Sequence, residues 1–305
     1  METILIMPCG YSPLLQNLLN TAYKVRNEYP NEKIILLGGL LNADQVKKEL
    51  KTLSIDIIDI PSLGFNDFLR NLNNDTIVLT SPYGATKTTL ATLKKENFRF
   101  FETTSTTIKN KINFINNSKG KFNIIYLGNT NTVEAWYLSS EAKFSFLFYD
   151  VNDPSKAKSV ITPAKFNKSK THIIYQSELS GSAFDATLNY LKETLPKATI
   201  EHELSDDNYE RKKNLDSTLN NNDVVLFIST LKTQEKYLLD YYHLSTRNLL
   251  YSVISSVDEA MALKIPAGRR VILVADGSVP EPIVINIYQY FYYKGLAASL
   301  PETQK

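Results

Sequence analysis

Short, continuously apolar runs alternate along the whole chain with stretches in which apolar residues recur every three or four positions. The runs TILIM, KIILL, TIVLT, FNIIYLG, FSFLFY, THIIYQ, DVVLFIS, NLLYSVI and RRVILVAD are bounded by turn residues and are short enough for strands. Between them lie segments such as SPLLQNLLNTAYKVRNEY, ADQVKKELKTL, ATKTTLATLKKE, SAFDATLNYLKETL and QEKYLLDYYHL, each with one apolar stripe at helical spacing. A strand that is apolar at consecutive positions has to bury both of its faces. Parallel sheets covered by helices on both sides do this. The pattern predicts an α/β protein built on parallel sheets.

The pattern also repeats. NNDTIVLTS resembles NNDVVLFIST, and KGKFNIIYLG resembles KSKTHIIYQS, each with polar residues before a buried strand and a polar turn after it. We read three related α/β domains over residues 1–98, 99–199 and 200–281. The remainder, 282–305, contains INIYQYFYYKGLAASL, which is aromatic on all sides of a helix. Such a segment is expected to be buried, here by packing on the first domain, or else to form an oligomer contact.

Composition narrows the function classes. Of 305 residues, 34 are Lys or Arg and 32 are Asp or Glu, a formal charge of +2 that predicts neither nucleic acid nor an anionic membrane as partner. The short basic clusters KFNKSK and ERKK read as solvated faces. The absence of a long apolar run, a signal peptide pattern or a disulfide framework predicts a soluble, cytoplasmic protein.

The loops after the strands carry the polar chemistry: TSPYGATKTT, GNTNTVE, SELSGS, STLKTQE and ADGSVPE. In open parallel sheets, ligands bind beyond the carboxyl ends of the strands, where helix N-termini offer N–H groups to anions. The same hydroxyls and carboxyls also serve as helix caps, which suffices to explain Asp206, Asp207 and, before Pro280, Ser278. Glu134 at a first helical turn has two readings, a favourable partner of the helix dipole or a general acid. Cys9, the one cysteine, reads as a small buried apolar residue or as a reactive thiol activated by the helix starting near Pro13. His172, His202 and His243 show no metal-ligand spacing, and His243 reads as a helix residue beside a core face.

Three stretches, in this order, carry a resemblance: LGGLLNADQVKKEL, GNTNTVEA and VADGSVPE. Together with the loop MPCGYSPLL, they resemble the LytB (IspH) family, the hydroxymethylbutenyl diphosphate reductases of isoprenoid synthesis, from Met7 to about Ile285. The resemblance implies three pseudo-symmetric α/β domains around a central cleft, one cysteine per domain on an iron–sulfur cluster, and a bound diphosphate. The cluster cysteines correspond to Ser12 in GYSP, Ser105 in ETTS and Asn208 in DDNY, with Cys9 lying three residues before the first. The substrate-binding histidines correspond to Asn42, Tyr83 and Thr132, and the proton-donating glutamate to Glu134. Thr233, Gln234 and Glu235 stand at the diphosphate-binding Ser-Ser-Asn motif, Ser278 at the last serine of the site, and Gln176 and Ser180 in the threonine-rich loop. With no thiolate at those three positions, we expect neither the cluster nor any other cofactor, and no reductase activity. The expected partner is a small polar or anionic molecule, diphosphate-bearing ones included. The alternatives are a redirected enzyme using Glu134 and Ser278, or an active reductase with unusual ligands.

Overall fold

The computed structural model describes residues 1–40, 43–58, 68–69, 71–117, 123–129, 132–142, 146–149, 170–177, 182–200, 207–229, 244 and 249–299. In chain order the elements are β1 (Thr3–Ile6), α1 (Pro13–Glu28), β2 (Ile34–Leu37), α2 (Asp44–Thr52), β3 (Ile55–Ile58), β4 (Ile77–Thr80), α3 (Lys87–Lys95), β5 (Phe100–Phe101), α4 (Thr106–Asn117), β6 (Asn123–Leu127) and α5 (Val133–Glu141). They continue with β7 (Phe146–Tyr149), β8 (Thr171–Tyr175), α6 (Ser182–Thr194), β9 (Thr199–Ile200), α7 (Asp207–Thr218), β10 (Val224–Ile228), β11 (Leu250–Ile254), α8 (Val257–Ala262), β12 (Val271–Ala275) and α9 (Glu281–Ser299).

These strands form three four-stranded sheets of order β3-β2-β4-β5, β7-β6-β8-β9 and β1-β12-β10-β11, and every pairing is parallel. The α/β class and its three parallel-sheet units are as the apolar runs predict. The central strands β2, β4, β10 and β12 are buried at every position. Alternate residues feed opposite faces: Val224, Leu226 and Ile228 of β10 join one apolar cluster, and Val225 and Phe227 join another. In β6, Ile125 and Leu127 face one layer while Ile124 and Tyr126 face the other. Each fully buried aliphatic side chain contributes roughly 1.5–3 kcal/mol, so the covered faces supply the main stabilisation.

Strand partnership departs from the order of the chain. The division expected at residue 98 groups β1 with β2 to β4, yet β1 pairs with β12, from Thr3 opposite Val271 to Ile6 opposite Val274. The two compact units follow this pairing. One contains the sheet of β1, β10, β11 and β12, and the other contains the remaining two sheets. The physical reason is that, among the described strands, β12 has one other neighbour, β10, and β1 satisfies the backbone groups on its remaining edge. The aromatic C-terminal segment forms α9, which packs on β1, β12 and α8 through Val284, Ile287 and Phe291. Its other side exposes Tyr292, Tyr293 and Leu296. Among the described residues, no helix is long and apolar enough to cross a membrane.

Candidate functional site

Those predicted site residues that are described lie beyond the carboxyl ends of strands, in separate groups on the three sheets. In the β6–β8 sheet, the chain leaves β6 through Gly128, where a Cβ would lie 2.7 Å from Cβ of Gln176, so only glycine allows this approach. Gln176 Oε1 accepts from the Asn129 N–H at 2.8 Å. Thr132 then caps α5: its Oγ1 accepts from the Ala135 N–H and donates to Asn129 O. This cap fixes the first turn, and with it Glu134.

Glu134 is 1% exposed, and its carboxylate is held from several directions. Lys111 of α4, itself 2% exposed, places Nζ 2.8 Å from Oε1. The Ser177 N–H reaches Oε1 and Oε2 at 3.1 and 3.0 Å, and Ser177 Oγ donates to Oε1 at 3.3 Å. Lys111 Nζ donates in addition to Tyr175 O at 2.6 Å and Ser177 Oγ at 2.9 Å. The group braces α4, α5 and the turn after β8. Beneath it, burial and the Glu134 charge push the Tyr126 phenol well above its usual range, with a Thr132 hydrogen bond opposing them. The carboxylate thus meets three donors of its own chain, which cross-link α4, α5 and the turn after β8.

In the β2–β5 sheet, Ser105 is buried, and its Oγ accepts from the Ile108 N–H at 3.2 Å as the cap of α4. Its own N–H donates to Pro82 O at 3.0 Å, which joins it to the turn containing Tyr83, also buried. Thr103 bonds Thr80 through both its N–H and its hydroxyl, and Asn17 Nδ2 donates to Thr103 O. Gly84, with φ +107°, packs against Tyr137, whose ring occupies the place of any Cβ there.

The third group lies around the β1 loop. Ser12 N–H donates to Gly277 O at 2.8 Å, and the neighbouring Ser278 N–H donates to Asp276 Oδ1 at 3.1 Å. Ser278 Oγ is buried and has no hydrogen-bond partner among the described residues. Arg211 of α7 is 1% exposed and donates from Nε to Pro8 O at 2.9 Å. This corrects the reading of ERKK as a wholly solvated face: Arg211 precedes the buried Leu215 by four residues and shares its inward stripe. Cys9 is half-buried against the apolar cluster of Phe291 and Leu273. Burial and Glu281 push its thiol up, outweighing Arg211, so the environment is that of a packed thiol and not an activated one.

Thr132, Glu134 and Gln176 therefore share one network, Ser105 and Tyr83 a second, and Ser12 and Ser278 a third. Asn208 is the second residue of α7, and Asp207 opens that helix. Asn42, Ser180, Thr233, Gln234, Glu235, His202, His243 and Asp206 lie outside the described residues. His172 is buried in β8, edge-on to Phe114 at 4.8 Å, and burial pushes its imidazole below the usual value. Among the described residues, no three His, Cys, Asp or Glu side chains group as a metal site. Lys111, Ser177 and Arg211 escape a reading by motif. Lys111 was detectable, since it falls between Ile108 and Ile115 on an apolar stripe.

The sequence matches the family described as LytB protein over residues 4–292. It is 25% identical over 185 residues to the 4-hydroxy-3-methylbut-2-enyl diphosphate reductase of Malacoplasma penetrans, a match covering 58% of this chain and 62% of that protein. The fold is similar to that of the E-1-hydroxy-2-methyl-but-2-enyl-4-diphosphate reductase from Plasmodium falciparum, with a TM-score of 0.72 and 17% identity over 98% of this chain and 89% of that one. It is also similar to an (E)-4-hydroxy-3-methyl-but-2-enyl diphosphate reductase described as the terminal enzyme of the non-mevalonate pathway. There the TM-score is 0.64 at 14% identity, over 96% of this chain and all of the other. At these identities the structural likeness is one of fold.

Proposed function

Because the chain belongs to the LytB protein family, we propose that it is a member without the iron–sulfur cluster, binding a small polar or anionic molecule at the carboxyl ends of its strands. The observation that carries this reading is the donor set. Iron–sulfur clusters are held chiefly by soft thiolates, and the positions corresponding to cluster cysteines hold Ser12, Ser105 and Asn208, two hydroxyls and an amide. Ser105 Oγ is already engaged as a helix cap. The one cysteine, Cys9, lies three residues from the corresponding position with its thiol pushed up. These residues do not fit a cluster of the family's type, and no step is derived through one.

Ser278 supports the choice of ligand. Its buried hydroxyl lacks a partner among the described residues and lies at the carboxyl end of β12, three residues before α9. Inorganic diphosphate is the probe. Titration calorimetry is expected to show binding that Ser278→Ala weakens. Iron and acid-labile sulfide, measured after strictly anaerobic expression and reconstitution, test the cluster. Absence of both is the expected result, and stoichiometric amounts of both overturn the reading. The names of the relatives favour a second reading, diphosphate reductase activity, and it requires that second result.

A further inference from the structure

Arg211 is the largest fully buried side chain among the described residues. A guanidinium withdrawn from water is costly unless hydrogen bonds compensate for its lost hydration. Its Nε donates to Pro8 O at 2.9 Å, and Asn214, one turn further along α7, donates from Nδ2 to Met7 O at 2.9 Å. α7 therefore grips the start of the β1 loop through two adjacent carbonyls. The turn before α9 holds the rest of that loop. Ser12 N–H bonds Gly277 O at 2.8 Å, and Gly10, at φ +87°, comes so near Glu281 that a Cβ on it would lie 3.0 Å from Cβ of Glu281. The two supports meet at Gly277. A Cβ built there would lie 3.6 Å from Cβ of Ser12 and 3.8 and 3.9 Å from the terminal nitrogens of Arg211.

Positions 12 and 208, on the β1 loop and on α7, are two of those that the resemblance assigns to cluster ligands. Arg211 follows position 208 by three residues, about one turn further along α7. We propose that Arg211 takes the place of the metal as the joint between the β1 loop and α7, so that this corner of the fold is held by a guanidinium bracket. The proposal rests on the cluster-free reading above, and goes beyond it in giving a replaced group a named successor. It also accounts for a buried cation in a helix whose other basic residues, Lys212 and Lys213, are not buried.

Cys9 lies inside the bracketed loop and is the only thiol of the chain, so its alkylation rate reports on loop opening. The sign of the effect discriminates. Arg211 favours the thiolate against burial and Glu281, so loss of its charge alone slows alkylation, whereas loss of the bracket accelerates it. Iodoacetamide is applied to the full-length protein, unsubstituted and as Arg211→Met and Arg211→Lys. Both variants are expected to react faster, by about ten-fold or more, because local opening then precedes reaction. A rate that is unchanged or reduced in either folded variant overturns the proposal. Hydrogen exchange on the unsubstituted protein needs no variant to fold. Amides of residues 9–12 are expected to be protected, and exchange at the rate of unstructured chain overturns the bracket. Iron in the unsubstituted protein defeats the cluster-free reading, whereas an unresponsive Cys9 defeats the bracket.

Discussion

Glu134 shows how one residue changes meaning with its surroundings. Read along the chain it is an acid in a first helical turn, but in the fold it is half of a buried ion pair with Lys111, braced by Ser177. Removing one partner of such a pair leaves a buried charge uncompensated and costs about 3–5 kcal/mol, whereas replacing both by apolar groups is often neutral. Lys111→Met is therefore expected to lower stability by about that amount in urea denaturation, and Lys111→Met with Glu134→Met to recover most of it. A second residue pair sets a pH dependence. Burial works to raise the Asp223 carboxyl, but hydrogen bonds from Arg270 and the Asn220 N–H, with the Arg270 charge, outweigh it and hold the carboxyl below its usual range. Arg270 meets both carboxylate oxygens, at 2.8 and 2.7 Å. A depressed folded value contributes stability that is present above the unfolded value of about 3.9 and is lost as pH falls through the folded one. The melting temperature of Asp223→Asn is thus expected to lie below that of the unsubstituted protein near pH 7, and the two are expected to converge in strong acid.

At the scale of elements, α9 joins two demands in one helix. Val284, Ile287 and Phe291 are buried against the sheet of β1 and β12, while Tyr293 is 63% exposed. Phe291→Ala removes a fully buried ring and is expected to cost about 3–5 kcal/mol, and Tyr293→Ser to change stability by no more than about 0.5 kcal/mol. Thermal unfolding of both variants checks this. The helix was legible in INIYQYFYYKGLAASL, but its inward face was not: with aromatics on every side, periodicity names no preferred stripe, and contact with β1 and β12 makes the choice. The loops behave similarly. Thr132 stands in a loop whose hydroxyls were legible as helix caps and acts as one, and Ser105, met in the sequence only at a cluster-cysteine position, does the same. What no local pattern conveys is that Thr132 also orders Asn129, and through it Gln176.

For the whole molecule, pairing across the sequence is the decisive feature. β1 joins β12 some 270 residues later, so the first strand completes the sheet of the last segment. Deletion of residues 1–6 is expected to leave β12 as an open edge and expose its apolar faces, read as faster hydrogen exchange in residues 224–228 and 271–275. If those strands retain full protection, β1 is dispensable to the sheet.

The alternation of continuously apolar strands with amphipathic helices settled the α/β class, the parallel pairing and the positions of most elements. These follow from burial on both faces of each strand and from one apolar stripe per helix, properties that the linear order itself carries. Composition settled as well that a single thiol is available in the chain. Only the tertiary structure decided that β1 belongs with β12, that Lys111 and Arg211 lie inside, and that Glu134 is a brace. The reason is physical: a charged side chain is buried only where distant segments supply its partners, and those partners, Glu134 for Lys111 and Pro8 for Arg211, stand 23 and 203 residues away.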